Sequence, residues 1–126
     1  LQRCRAAAGG QALFLGHVAH HNPLLASAYA ACRALALVSW YETPGLAALE
    51  AGLTGAPLVL TADGACQEYF SEHAQYVRPF DRAAIRHAVL NACDAPRSAQ
   101  LVAHVRERYA SHAVAQATKE AYETLL

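Results

Sequence analysis

Residues 35–61 read LALVSWYETPGLAALEAGLTGAPLVLT, and this stretch decides the fold. It opens and closes with short apolar runs at 35–38 and 58–61, each of strand length. Between them, Leu46, Leu49 and Leu53 recur at the spacing of one helical face. A strand–helix–strand unit of this kind predicts two parallel strands covered by helices.

The alternation continues on both sides of this unit. Further strands are predicted at 12–15 and 75–77, and further helices where a capping residue precedes a helical pattern. The predicted helices begin at Asn22-Pro23, run from Thr43-Pro44 to near Gly55, run from Asp81 to residues 94–96, and cover Ser98 to Leu126 with a break near Ser111. The predicted fold class is therefore α/β, a Rossmann-like short parallel sheet with helices on both faces and a helical C-terminus.

Composition narrows the function. With 126 residues and 55% apolar content, the chain can bury one core of ordinary size, which indicates a single domain. Basic and acidic residues number ten each, so the near-zero net charge argues against bulk binding to nucleic acid or to an anionic membrane. No apolar run approaches the roughly 20 residues that a membrane-spanning helix needs. A cytoplasmic protein is expected.

The four cysteines and the absence of methionine lead to two further expectations. Cys4, Cys32, Cys66 and Cys93 lie too far apart for a CxxC-type zinc pattern, so reduced thiols are predicted, with Cys66 in the core. The sequence contains no Met and begins at Leu1, from which we expect a piece of a longer polypeptide.

Two carboxylates, Glu42 and Glu50, have no neighbouring cation in the sequence, because no Lys or Arg occurs between Arg33 and Arg78. Glu50 lies on a predicted helix that is apolar nearly all round. A carboxylate there must be hydrogen-bonded, since burial of an isolated charge is very costly. We interpret Glu50 as a ligand-binding group; the alternative is a glutamate at the edge of the apolar stripe that reaches solvent.

Glu42 follows the strand predicted at 35–38, where open parallel sheets place their ligands. Taken alone, it is more simply interpreted as a solvated loop acid. The adjoining helix start favours an anion. Because Pro44 has no N–H, the free amides are those of Gly45 and Leu46, and the helix dipole also attracts negative charge. A sugar at Glu42, a phosphate at the helix start and a ribose at Glu50 fit this arrangement.

The run from Glu42 to Glu50 resembles the E-x7-E motif of retaining glycosyltransferases with the GT-B fold, the large bacterial group called family 4 or group 1. The flanking sequence is similar as well, in an order and spacing far more specific than the motif alone. The similar segments are Phe14-Leu15-Gly16-His17-Val18, Leu37-Val38-Ser39, Gly55-Ala56-Pro57, residues 63–70 and Val77-Arg78-Pro79-Phe80-Asp81. The resemblance covers most of the chain.

The resemblance implies a role for each candidate residue. Glu42 would contact the donor sugar at the catalytic centre, and Glu50 would bind the ribose hydroxyls of the nucleotide. Backbone amides near Gly45 and Leu46 would hold the distal phosphate. The residues that would border the nucleotide base are Gly16, His17 and Val18.

The implied function is that of a hexosyltransferase in polysaccharide or lipopolysaccharide biosynthesis. The intact enzyme would move a sugar from a nucleotide diphosphate sugar to a glycan or lipid-linked acceptor, with the anomeric configuration kept and no metal or other cofactor. It would be cytoplasmic or peripheral at the inner face of the membrane. The alternatives are a noncatalytic GT-B-like interaction domain and a GT-B epimerase acting on a nucleotide sugar.

Some of the family's pattern is missing or altered. Pro44 stands where many members have an aromatic residue, and Ala65 replaces a common second glycine. The resemblance also implies that the first strand–helix units of the donor domain, with their basic residues, and the N-terminal acceptor domain are missing. The isolated chain is therefore expected to be inactive.

Three other signals have competing interpretations. The spacing of His17, His20 and His21 suggests a metal site, but a solvent-facing loop with a base contact is favoured because a glycine turn and Asn22-Pro23 flank them. Trp40 and Tyr41 are expected to pack rather than to stack on a ligand. The apolar side of the C-terminal helices is predicted to support self-association.

Overall fold

A computed structural model describes residues 2–125. Within this range the chain forms seven α-helices, three strands and one 3₁₀ turn. In order they are α1 (Gln2–Ala8), α2 (Pro23–Ala31), β1 (Leu35–Leu37), α3 (Leu46–Gly52), β2 (Leu58–Thr61), α4 (Cys66–Phe70), the 3₁₀ turn (Ser71–His73), β3 (Ala74–Val77), α5 (Arg82–Asp94), α6 (Ala99–Tyr109) and α7 (Ser111–Leu125).

The three strands form a parallel sheet in the order β1-β2-β3. Leu35 pairs with Leu58, and Leu58 pairs with Ala74, so the carboxyl ends of the strands meet at one edge. The central strand β2 is buried along its whole length. The strands predicted at 35–38, 58–61 and 75–77 are confirmed.

Helices cover both faces of this sheet. Successive residues of β2 point to opposite faces. Leu58 and Leu60 belong to one core cluster, together with residues of α3, α4 and α6. Val59 belongs to a second cluster with Ala88 and Ala92 of α5. The predicted Rossmann-like α/β arrangement is confirmed.

The strand predicted at residues 12–15 is wrong, and α1 before it was not predicted. Residues 13–19 form an irregular segment, in which Leu13 is 85% and Leu15 is 59% exposed. Gly10 and Gly16 flank the run with φ of 83° and 73°, a left-handed conformation that interrupts extended backbone. Within residues 2–125 no strand pairs with this run. A short apolar run without a partner gains no ladder hydrogen bonds and does not form a strand.

Helix α3 begins at Leu46, later than the start predicted at residues 43–44. Its N-cap is Gly45, in a left-handed conformation with φ of 61°. The residues before it stay non-helical because Glu42 forms a parallel β-bridge with Gly64. A pairing between two loops therefore sets the helix start.

The other predicted helix starts are confirmed. The side chains of Asn22, Asp81 and Ser98 each accept a hydrogen bond from a first-turn amide, at 2.9, 2.9 and 3.1 Å. The C-terminal helical pattern breaks at Ala110, between α6 and α7, close to the break predicted near Ser111. The predicted end at Leu126 lies outside the described residues.

The last two helices differ in burial. Leu101 and Val105 of α6 belong to the core, whereas no described residue of α7 is buried. Val114, Tyr122 and Leu125 of α7 are exposed and line a groove of about 740 Å³ between α3, α6 and α7. None of the helices between residues 2 and 125 is both long enough and apolar enough to cross a membrane.

Candidate functional site

Glu42 follows β1 and is held by its backbone to the loop after β2. Its N–H donates to the carbonyl of Asp63 at 3.2 Å, and its carbonyl accepts from the amide of Ala65 at 2.9 Å. These two bonds form the bridge opposite Gly64. Glu42 is therefore fixed at the carboxyl edge of the sheet, the position that the sequence predicted for it.

Gly64 also belongs to the candidate site, and the sequence did not reveal why a glycine is needed at this position. A Cβ atom at position 64 would lie 1.9 Å from the carbonyl oxygen of Glu42, and the backbone there has φ of 112°. A larger residue could fit only if the two loops moved apart. The Asp63-Gly64 dipeptide signals a turn, but the contact joins distant segments and leaves no local signal.

The Glu42 side chain is half-buried and has one protein partner among the described hydrogen bonds. The hydroxyl of Ser39 donates to its Oε2 atom at 3.1 Å. Within residues 2–125 no Lys or Arg forms an ion pair with it. A carboxylate offers about four acceptor positions, so most of those on Glu42 are available to a ligand.

Cys66 lies beside this carboxylate. Burial chiefly, and then the negative charge of Glu42, raise the pKa of the Cys66 thiol. Its side chain is buried, as predicted for a core thiol, and all four cysteines of the chain are free. A buried thiol with a raised pKa is a poor nucleophile.

Two backbone amides lie at the start of α3, that of the buried Gly45 and that of the exposed Leu46. Within residues 2–125, the N–H groups of Gly45 and Leu46 donate no hydrogen bond to the protein. Leu46 is exposed, and it lines the same groove as Arg108 of α6. The fold thus brings a cation to the groove beside this helix start, which the order of residues along the chain did not indicate.

Glu50 is the second candidate carboxylate, and its side chain is 30% exposed. Its Oε1 atom lies 3.1 Å from Nδ1 of His20, and among residues 2–125 it forms no ion pair with Lys or Arg. It lines a cavity of about 340 Å³. The other lining residues are His20, Leu25, Ala26, Tyr29, Leu53 and Thr54.

Tyr29 on α2 is a neighbour of Glu50 that sequence analysis missed. Burial first, and then a hydrogen bond to Glu50 and the negative charge of that carboxylate, raise the pKa of Tyr29 to about 12. The phenol and the Glu50 carboxylate therefore lie close together, and both line this cavity.

The sequence model of the family described as "Glycosyl transferases group 1" matches residues 1–95. The chain is a member of this family. A comparison with curated proteins finds no match. Membership confirms the resemblance read from the sequence and supports a glycosyltransferase-like function.

The matched part of this group 1 glycosyltransferase domain contains the whole sheet, Glu42 and Glu50. Helices α6 and α7 lie beyond residue 95. Helix α6 nevertheless contributes Leu101 and Val105 to the core cluster that contains residues of α3, and α7 packs against α6. The C-terminal helices are therefore structurally continuous with the matched domain.

The residues predicted to border the nucleotide base lie in the irregular segment 13–19 of the glycosyltransferase domain. Gly16 and His17 are exposed and Val18 is half-buried. His20, which follows this segment, contacts Glu50. The assignment of the base contacts stays a prediction.

Arg97 organises the surroundings of the Glu50 cavity, and it too was missed. Its guanidinium donates to the carbonyl of Cys32 at 2.8 Å, to the carbonyl of Ala30, and to the carbonyl of Thr54 at 2.9 Å. These bonds hold the end of α2 against the turn after α3. A single arginine before a helix carries no sequence signal of such a role.

Trp40 and Tyr41 do not pack as predicted. Both side chains are exposed, on a bend between β1 and the Glu42 bridge. The bridge draws Glu42 toward Gly64, and the preceding bend projects the aromatic rings into solvent. The aromatic pair is therefore accessible at the carboxyl edge.

The histidine-rich segment does not assemble a metal site in the described part of the chain. Among residues 2–125, no group of three or more His, Cys, Asp or Glu side chains is arranged to hold a metal ion. His20 instead contacts Glu50, which links it to the candidate ligand site.

Proposed function

We propose that this domain is the donor-binding portion of a retaining glycosyltransferase. The intact enzyme would move a sugar from a nucleotide diphosphate sugar to a glycan or lipid-linked acceptor held by a second domain, without a metal or other cofactor. One observation carries the proposal. In a group 1 family member, Glu42 just before α3 and Glu50 in the last turn of α3 are both half-buried, and within residues 2–125 neither forms an ion pair with Lys or Arg.

Glu42 is assigned to the donor sugar and is the proposed catalytic residue. Its backbone is fixed by the bridge to Gly64, while Ser39 occupies one of its acceptor positions. The remaining positions can accept from sugar hydroxyls. Such contacts would orient the anomeric carbon as its bond to phosphate breaks.

Glu50 is assigned to the ribose. Two oxygens of one carboxylate can accept from two neighbouring hydroxyls, the pattern that a ribose presents. Tyr29 lines the same cavity beside the carboxylate, and the exposed His20 side chain can move aside for the ligand. The adjoining cavity of about 340 Å³ gives the nucleoside room beside Glu50.

The amides of Gly45 and Leu46 are assigned to the distal phosphate. A helix start contributes only about 0.3–1 kcal/mol to the binding of an anion at an exposed position. In the transfer reaction, the helix start would stabilise the negative charge that develops on the leaving phosphate. Gly16, His17 and Val18 would then border the base, on the segment that leads to His20.

Saturation-transfer NMR with a panel of nucleotide sugars tests the proposal and detects weak binding. We expect saturation of the ribose protons in the parent chain, loss of it in Glu50→Ala, and no change in Glu107→Ala, which alters an exposed glutamate on α6. Saturation of the ribose that is equal in all three proteins would overturn the ribose assignment. Absence of saturation with every nucleotide sugar would favour a noncatalytic interaction domain.

A further inference from the structure

The turn before α2 places His20 beside Glu50. The backbone N–H of Asn22 donates to the carbonyl of Ala19 at 2.9 Å, which closes a turn around His20. The side chain of Asn22 also accepts from the amide of Leu24 at 2.9 Å and caps the helix. The position of the His20 backbone is therefore tied to the start of α2.

The His20 ring contacts one of the oxygens that the proposed ligand needs. Its Nδ1 atom is 3.1 Å from Oε1 of Glu50, and the two side chains line the same cavity of about 340 Å³. The side chain of His20 is 85% exposed and that of Glu50 is 30% exposed. A ribose that approaches the carboxylate from the cavity therefore competes with the His20 ring for Oε1.

The strength of this competition depends on the charge of the ring. Histidine is the side chain whose charge ordinarily changes between about pH 5 and 8. An imidazolium attracts a carboxylate through its full charge, whereas a neutral imidazole presents no net charge to it. Because His20 is largely exposed, water and salt screen the attraction, and its effect on a competing ligand is modest.

Three further titratable or charged groups lie around this pair, while α3 itself carries no other charged side chain. Burial first, and then Glu50, raise the pKa of Tyr29 to about 12, so this phenol is neutral near pH 7. The guanidinium of Arg97 donates to the carbonyls of Tyr29 and Cys32, and among residues 2–125 it forms no ion pair with Glu50. The Cys32 thiol donates to the carbonyl of Tyr29 at 3.3 Å. We therefore expect His20 to control access to the carboxylate at neutral and mildly acid pH.

We propose that His20 is a built-in competitor of the donor. When its ring is protonated, it pairs with the Glu50 carboxylate and weakens the binding of a nucleotide sugar. The inference rests on the proposed assignment of Glu50 to the ribose. Because the imidazolium forms as the pH falls, donor binding by this domain is weaker at about pH 6 than at about pH 8. Rotation of one exposed side chain is enough to open the site.

The test is a saturation-transfer NMR titration with uridine diphosphate glucose and guanosine diphosphate mannose, at about pH 6 and at about pH 8. The phosphates of these compounds are diesters, so the charge of the ligand is the same in both conditions. We expect the parent chain to bind roughly two- to fivefold more weakly at the lower pH. His20→Ala should bind equally at both pH values, and at least as tightly as the parent at the higher one.

Two matched variants separate charge from the loss of a side chain. Glutamine is polar but does not titrate, so His20→Gln should lose the pH dependence as His20→Ala does. His21 is the exposed neighbour of His20 in the same turn, and it belongs to none of the ion pairs among residues 2–125. His21→Ala should therefore keep the pH dependence of the parent.

Three outcomes would overturn this inference alone, with ribose saturation observed in each. The first is equal binding of the parent at both pH values. The second is a pH dependence that persists unchanged in His20→Ala, which would assign it to another group. The third is weaker binding by His20→Ala than by the parent, which would make His20 a ligand contact. Absence of ribose saturation in the parent and in both His20 variants would instead overturn the ribose assignment, and this inference with it.

Discussion

Gly64 lies so close to the backbone of Glu42 that a Cβ atom at position 64 would stand 1.9 Å from the Glu42 carbonyl oxygen. The two residues belong to the loops after β1 and β2 and form a parallel β-bridge. The backbone of the proposed sugar-binding residue is therefore positioned before any ligand arrives.

Replacement of this glycine should unfold the edge of the sheet. We expect Gly64→Ala to lower the free energy of unfolding by at least about 2 kcal/mol, because both the clash and the positive φ must be relieved. Urea denaturation followed by circular dichroism measures the loss. Gly10→Ala is the control, since Gly10 has φ of 83° but no heavy atom within 4 Å of its Cβ position. Equal losses in the two variants would show that the contact with Glu42 contributes nothing.

The two carboxylates should both be needed for transfer by the intact enzyme. We expect Glu42→Ala and Glu50→Gln each to reduce turnover roughly 10- to 100-fold, because each would remove the hydrogen bonds that we propose to orient the donor. Transfer of a labelled sugar from the nucleotide donor measures this. Glu107→Gln, on the exposed side of α6, should retain the parental rate. Near-parental turnover in both carboxylate variants would remove the assignment.

Two tyrosines should lose their phenolic protons only at a pH above the usual range for tyrosine. Burial first, and then Glu50, raise the pKa of Tyr29 to about 12; burial first, and then Cys66 and Glu72, raise that of Tyr76 to about 12. A pH titration followed by the ultraviolet absorbance of tyrosinate should show a step near pH 12, and this late step should become smaller in Tyr29→Phe. In Glu50→Gln the pKa of Tyr29 should fall, because the substitution removes the negative charge. An unchanged late step in both variants would contradict the contact.

The same shift predicts how stability depends on pH. The pKa of Tyr29 is higher in the folded chain than the value of about 10 in an unfolded chain, so the folded state binds the proton more tightly. Its contribution is complete below about pH 10 and is lost as the pH rises through about 12. Stability should fall in this window, and less steeply in Tyr29→Phe. Urea denaturation at a series of alkaline pH values measures the slope.

Local patterns in the sequence predicted most of the fold. The apolar run at 58–61 became β2 because a central strand is buried on both faces and is apolar throughout. Asp81 and Ser98 were recognisable as caps because their partners lie within the next turn of the chain. An element can be predicted from the sequence when its apolar pattern or its capping contact lies within a few neighbouring residues.

Contacts between distant segments explain the errors. The start of α3 was placed too early because the bridge between Glu42 and Gly64 cannot be seen in either segment alone. The run at 12–15 looked like a strand, but no partner strand in residues 2–125 lies beside it. At the candidate site, Glu42 and Glu50 were predicted from the sequence, whereas the positions of Tyr29 and Arg97 beside them follow only from the packing of the helices.

Nucleotide affinity of the chain by itself should be weak. The candidate phosphate site offers the amides at the start of α3, worth about 0.3–1 kcal/mol to an anion, and no ion pair of residues 2–125 fixes a cation there. Isothermal titration calorimetry with a nucleoside diphosphate should therefore give a dissociation constant well above the micromolar range, or no measurable heat. Submicromolar affinity would contradict this expectation. An Arg108→Ala variant would then show whether the cation in the neighbouring groove is responsible.

The exposed face of α7 should make the chain self-associate. Val114, Tyr122 and Leu125 line an apolar groove and remain largely accessible, so pairing of two copies would remove apolar surface from water. Sedimentation velocity over a range of concentrations should show a dimer that grows with concentration and is weakened by Val114→Asp. Gln116→Asp, which places the same charge at an exposed polar position of α7, should not weaken it. A monomer at every concentration would contradict the prediction. Because apolar burial is not screened by ions, added salt should leave the dimer intact, whereas an association through surface charges would dissolve.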